Sequence, residues 1–144
     1  MRKALILCLL VFIVLPGWAA LAAPEQQAQP AISAFTTTAT LVDRTQLAAK
    51  TARIPVAWAT TNRPSTANLV FEQVLADGNI VNVELPRDNP WVASSGNGVV
   101  APIAPGGTAT QVVFRLRLID LLTQNTLAQR DLTLPVGDAP TPTP

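Results

Sequence analysis

From position 31 to position 136, apolar and polar residues alternate in short runs separated by Pro, Gly, Asn and Asp. Side chains on a strand point alternately to opposite faces, so this period predicts strands with one buried face. Seven are expected: residues 32–42, with a break in the middle, then 53–60, 67–75, 79–85, a weak 98–103, 110–121 and 126–136. In the second, Ile54, Val56, Trp58 and Thr60 share one face, and Arg53, Pro55, Ala57 and Ala59 the other. Pro55 brings no backbone donor, which predicts an edge, a bulge or incomplete pairing there. Short strands at regular spacing, with no internal repeat and no long amphipathic helix, predict an all-β antiparallel sandwich.

Two hairpins set the expected registers. Around Asp77-Gly78, a two-residue turn would place Phe71 beside Glu84. A three-residue loop, Ala76-Asp77-Gly78, instead pairs Phe71 with Val83, Leu69 with Leu85 and Gln73 with Val81. Leu69, Phe71, Val81, Val83 and Leu85 then form the core face, and Val70, Glu72, Asn82 and Glu84 the other. A one-residue slip would exchange the faces, so the pattern selects the longer loop, a type I turn followed by a left-handed glycine. The last hairpin, centred on Gln124, is expected to pair Phe114 with Leu134, Leu116 with Leu132 and Val112 with Val136 on the inside. Outside, Arg117 would meet Asp131 and Arg115 would meet Thr133, with Glu72 beside the arginines if the third strand flanks the sixth.

The two ends of the chain follow other rules. Arg2 and Lys3 precede an unbroken apolar run of 12 residues, interrupted at Pro16-Gly17, and Ala20-Leu21-Ala22 fits a peptidase site. That order predicts a signal-peptide helix over residues 1–22, cleaved near Ala22, and so a secreted or extracytoplasmic protein. Left uncleaved, the 20 residues 4–23 would match a bilayer span in length, although Pro16-Gly17 would break the helix. Only in that form is membrane contact expected. Cys8 lies early in the run, after Leu7, and reads as a plain apolar member of the signal. Residues 23–30, polar and Gln-rich, read as a linker before the sandwich of residues 31–136. Residues 137–144, ending in Thr-Pro-Thr-Pro, read as a stiff extended tail.

Composition narrows the chemistry. The 144 residues include no His and one Cys. This excludes Ser-His and Cys-His catalysis, His-ligated metal, an internal disulfide and a zinc finger. Without residues 1–22 the chain has no thiol, which suits an oxidising compartment. Eight basic residues, Lys50 and seven arginines, then face nine acidic ones. No basic patch remains, so nucleic acid is not an expected partner. Glu72 and Glu84 share a predicted face, but without a glycosidase motif they read as a solvated strand face. Asp43, Asp77, Asp88, Asp120 and Asp138 lack calcium-loop spacing. Ser94-Ser95 and Gly96-Asn97-Gly98 read as a turn-rich loop, with no base for a nucleophile and no strand-to-helix context for a phosphate. No cofactor and no enzymatic activity are expected.

The Trp of Val56-Ala57-Trp58, the hairpin at Asp77-Gly78 and the final hairpin ending in Leu132-Thr133-Leu134-Pro135-Val136 resemble an immunoglobulin-like or fibronectin-type-III-like sandwich. Bacterial exported proteins carry many such modules. The resemblance covers residues 31–136, without the paired cysteines or the corner tyrosine of antibody-type domains. It implies a structural, adhesion or ligand-binding role at the cell surface or in the extracellular space, and no catalytic residues.

Two regions are candidate contacts for a protein or glycan of the cell envelope. Trp91 follows the Pro-rich segment containing Arg87 and Asn89. On a rigid loop it would stack on a sugar or anchor a protein; folded back, it would cover the end of the sandwich with Val92. A carbohydrate-binding module using Trp91 is therefore the alternative to a protein-interaction module. The second region joins the loop 61–66 to the loop 123–125, where Asn62, Arg63 and Gln124 would form a polar tip or an ordinary solvated loop set.

Overall fold

In the computed structural model, which describes residues 28–83, 94–104 and 109–138, the alternation becomes two facing sheets. The signal segment, Glu84, Leu85, Arg87, Asn89, Trp91 and tail residues 139–144 lie outside the described residues. Eight strands are described: β1 (Ala31–Thr36), β2 (Val42–Asp43), β3 (Ile54–Thr61), β4 (Ala67–Val74), β5 (Ile80–Asn82), β6 (Ser95–Val100), β7 (Gln111–Asp120) and β8 (Thr126–Gly137). One sheet runs β1-β3-β6 and the other β2-β8-β7-β4-β5. The protein is an all-β sandwich, as its patterning predicts.

The expected break in the first strand is where the chain changes sheets. β1 pairs antiparallel with β3, and β2 pairs parallel with β8. A five-residue helix not anticipated from the sequence, α1 (Arg44–Ala48), follows β2. Asp43 caps it, its Oδ1 accepting from the Gln46 N–H at 2.8 Å, and Leu47 is its buried anchor. One buried residue in five gives no readable period.

β3 buries Ile54, Val56, Trp58 and Thr60 and turns Pro55 and Ala57 outward. Pro55 is incompletely paired, as expected. In an antiparallel ladder the N–H and C=O of one residue face the same neighbour. The Pro55 carbonyl accepts from the Thr37 hydroxyl, so its missing N–H faces the β1 side. There β1 has already ended, at the pair Thr36–Ala57.

On the other side of β3, the expected loop at Ser95-Gly96-Asn97-Gly98 is instead strand β6. The weak strand read at 98–103 therefore begins three residues earlier. Gly96 sits opposite Trp58, and a Cβ there would lie 2.4 Å from Trp58 Cζ2. The glycine that suggests a turn is the residue that lets the indole lie against β6.

Trp58 packs edge-on against Phe71 of β4, with ring centroids 5.1 Å apart, and Phe35 of β1 meets Phe71 at 6.0 Å. These three rings join the two sheets. Leu69, Val112, Phe114, Leu116 and Leu118 fill the core from the larger sheet.

The β4–β5 register is the expected one. Gln73 pairs with Val81, and the Val83 N–H donates to the Phe71 carbonyl at 3.0 Å. Gly78 takes φ 84°, as the three-residue loop requires. Val81, expected in the core, is half-buried. Gln73 is completely buried. Its Nε2 donates to the Ile103 carbonyl at 2.7 Å and its Oε1 accepts from the Ile103 N–H at 2.8 Å, pinning residues 101–104 to the core.

The β7–β8 register differs from the expected one by two residues. Val112 faces Leu134, Phe114 faces Leu132 and Leu116 faces Arg130, while on the outside Arg115 meets Asp131 and Arg117 meets Gln129. A two-residue shift leaves every side chain on its own face, so hydrophobic alternation does not distinguish the two. The turn decides. The Asp120 N–H donates to the Asn125 carbonyl at 3.0 Å, which encloses residues 121–124 and centres the loop ahead of Gln124, and a bulge lies between Leu118 and Ile119.

Candidate functional site

The loop 61–66 and the β7–β8 turn lie side by side at one end of the sandwich, joined by the Leu121 N–H donating to the Thr66 carbonyl at 2.9 Å. Asp120 organises the turn. Its Oδ1 accepts from the Leu122 N–H at 3.2 Å, its Oδ2 from the Thr123 hydroxyl at 2.9 Å, and its carbonyl from the Gln124 N–H at 2.7 Å. Hydrogen bonds from the Leu122 N–H first, then from the Thr123 and Thr66 side chains, hold the Asp120 carboxyl below the ordinary carboxylate range, against a smaller upward push from burial.

The three polar residues expected at this tip bond to neighbouring backbone. Arg63 donates through Nε and Nη2 to the Ala67 carbonyl at 3.0 and 2.7 Å, and burial lowers its pKa from the ordinary value. Asn62, at φ 51°, donates to the Gln29 carbonyl at 3.3 Å. Gln124, at φ 60°, donates to the Leu121 carbonyl at 2.9 Å. What projects beyond them is apolar: Leu121 is 50% exposed and Leu122 79%. By alternation alone Leu121 ends the strand 110–121 and Leu122 falls in no element. The signal was present in two adjacent leucines followed at once by Thr123-Gln124-Asn125, since a run that outlasts its strand has no core to enter.

A second feature lies toward the opposite end, on the outer face of the β1-β3-β6 sheet. Thr36–Thr38, Pro55–Ala57 and Asn97–Val99 line a hollow of about 360 Å³, and none of these described residues is charged. Small residues at Ala57 and Gly98 leave it open.

The outer face of the larger sheet carries two ion pairs. Arg115 grips Asp131 through two hydrogen bonds of 2.9 Å. Arg117 grips Glu72, Nε to Oε2 at 2.9 Å and Nη2 to Oε1. Glu72 is therefore not on a solvated face as expected: it is only 3% exposed, and both its oxygens accept from Arg117. The Arg115 hydrogen bond, more than its charge, lowers the Asp131 pKa, and the same bond raises that of Arg115. The Glu72 and Asp131 carboxylates are thus both taken up in tying strands together. Among the described residues no three of His, Cys, Asp and Glu gather as metal ligands, and no helix is long and apolar enough to cross a membrane.

No family model matches the chain, and no curated protein matches it either.

Proposed function

We propose that the protein is an exported, non-enzymatic interaction module whose contact surface is the Leu121–Leu122 tip. The observation that carries the reading is the display of two adjacent leucines on a turn held by Asp120. A rigid apolar projection loses little conformational freedom when it enters a partner's pocket. Export is supported by the order of basic, apolar and small residues over 1–22. An immunoglobulin-like topology is supported by the strand order: the first strand splits between the two sheets, and β5 extends the larger one.

The test is binding of the purified mature chain to envelope fractions of the source cell, with and without Leu122→Asp. At least tenfold weaker retention of a variant with an unchanged melting curve is expected. Equal retention would overturn the assignment of the contact surface.

A further inference from the structure

We propose that Asn97 is a site of spontaneous deamidation, held in check by strand β6, and that one of its two products keeps β6 from pairing again. Asn97-Gly98 is the one Asn-Gly pair in the sequence. In this reaction the backbone nitrogen of the next residue attacks the asparagine side chain, and a side chain on that next residue obstructs it. Asn62, Asn68, Asn79, Asn82 and Asn125 precede Arg, Leu, Ile, Val and Thr, and Asn89 precedes a proline, which has no N–H. Gly98 leaves its nitrogen bare.

The fold sets the rate. Asn97 is exposed in the middle of β6, and none of the described residues bonds its side-chain amide. The attacking nitrogen, by contrast, is held. Bonded pairs alternate along an antiparallel ladder. The Thr60 N–H donates to the Ser94 carbonyl at 2.7 Å, so Trp58–Gly96 and Val56–Gly98 are the next bonded pairs. The Gly98 N–H is thereby committed to the Val56 carbonyl, and the extended backbone keeps that nitrogen away from the Asn97 side chain. Reaction requires β6 to leave β3. In the sheet order β1-β3-β6 the strand is terminal, so one ladder has to break. Such local opening costs less than global unfolding.

In the opened strand hydroxide takes the Gly98 N–H proton, and the nitrogen bonds to the Asn97 Cγ. The Cγ–Nδ2 bond breaks and ammonia leaves with a proton from water, which restores the hydroxide and closes a five-membered succinimide. Water then opens the ring. Breaking the bond from nitrogen to Cγ gives aspartate, with the original backbone, and β6 pairs again. Breaking the bond from nitrogen to the main-chain carbonyl carbon gives isoaspartate. Its main chain runs through Cβ and Cγ and is one carbon longer. Gly96 opposite Trp58 and Gly98 opposite Val56 then cannot both be restored. A slipped register is barred as well, because a Cβ in the place of Gly96 would lie 2.4 Å from Trp58 Cζ2. A passing opening of one edge strand thus becomes a lasting one that uncovers Trp58.

Peptide maps of the purified mature chain, incubated at mildly alkaline pH, test this. Aspartate and isoaspartate should accumulate at position 97, at least about tenfold more slowly in the folded chain than in the urea-unfolded one. Gly96→Ala crowds the indole and should raise the folded rate about fivefold, the factor for 1 kcal/mol of easier opening. If that variant lacks a cooperative melt, Thr60→Val takes its place, deleting the hydroxyl bond to the Ser94 carbonyl at 2.9 Å. Asn97→Gln should abolish both products. In the isoaspartate form, separated chromatographically, the amides of Val56 and Trp58 should exchange about tenfold faster, since they bond to β6. That of Ala59, which faces β1, should keep its protection. Equal rates in folded and unfolded chains would overturn the control by β6. A folded chain whose position 97 stays unchanged while other asparagines convert would overturn the site. An isoaspartate form with full protection at Val56 and Trp58 would overturn the lasting opening.

Discussion

Trp58 is enclosed by Phe71 across the core and by Gly96 beside it, yet its buried Nε1–H has no acceptor. An unpartnered buried donor is costly, so the indole contributes through its area and shape rather than through its nitrogen. Trp58→Ala should cost about 3–5 kcal/mol, as large aromatic truncations do. Trp58→Phe should cost clearly less, because it keeps a ring against Phe71 and removes the orphan donor. Gly96→Ala should cost about 1–3 kcal/mol, since the added methyl meets the indole and forces a shift. Urea melts of the three variants check the order, and a Phe variant as damaged as the Ala variant would mean that Nε1 has a partner after all. The Trp58 face was legible in the sequence because alternation is local. Gln73 was not legible as core. Its burial depends on the backbone of Ile103, 30 residues away, needing both a donor and an acceptor, and no local pattern encodes that.

At the level of elements, the turns decide what alternation leaves open. Around Asp77-Gly78 the competing registers differed by one residue and put an acid beside the core, so the sequence could choose. In the last hairpin they differ by two, and the choice lies in the carboxylate and carbonyl of Asp120. A double-mutant cycle reads the register directly: Arg115 and Asp131 should couple by about 0.2–1 kcal/mol, the range of half-exposed pairs. Arg117 and Asp131 should not couple, and the reverse result would restore the register centred on Gln124. The same carboxylates set an acid limit. Asp120 and Asp131 have pKa values lowered by folding. Their contribution is therefore complete above the ordinary Asp value of about 3.9 and is lost as pH falls through the folded values. Thermal melts from pH 7 down to pH 3 should show falling stability only in the acid part of the range. Asp120→Asn and Asp131→Asn should each flatten that fall, and parallel curves for wild type and variants would remove both groups from the account.

At the scale of the whole molecule, the two sheets are joined by more than the aromatic core. Arg130 projects from β8 of the larger sheet and donates through Nη1 to the carbonyls of Ile32 at 3.3 Å and Ser33 at 2.7 Å. Those carbonyls belong to β1 of the smaller sheet, at the point where its pairing with β3 shifts register between Ile32 and Ala34. The irregularity leaves carbonyls turned away from the ladder, and a guanidinium from the opposite sheet satisfies them. β1 is a sheet edge six residues long, and a few residues later the chain crosses over to join the larger sheet as β2. It thus depends on this clasp more than the central strands do, and local opening draws on such elements first. Arg130→Ala should cost about 1 kcal/mol, a typical charged hydrogen bond partly exposed to water. Its main effect should be regional: amide exchange in residues 31–36 should quicken about fivefold, the factor that 1 kcal/mol represents. The amides of β7, paired on both sides by β4 and β8, should keep their protection. Equal acceleration across all strands would show that β1 opens only with the whole sandwich, making the clasp part of one cooperative unit rather than the latch of its edge.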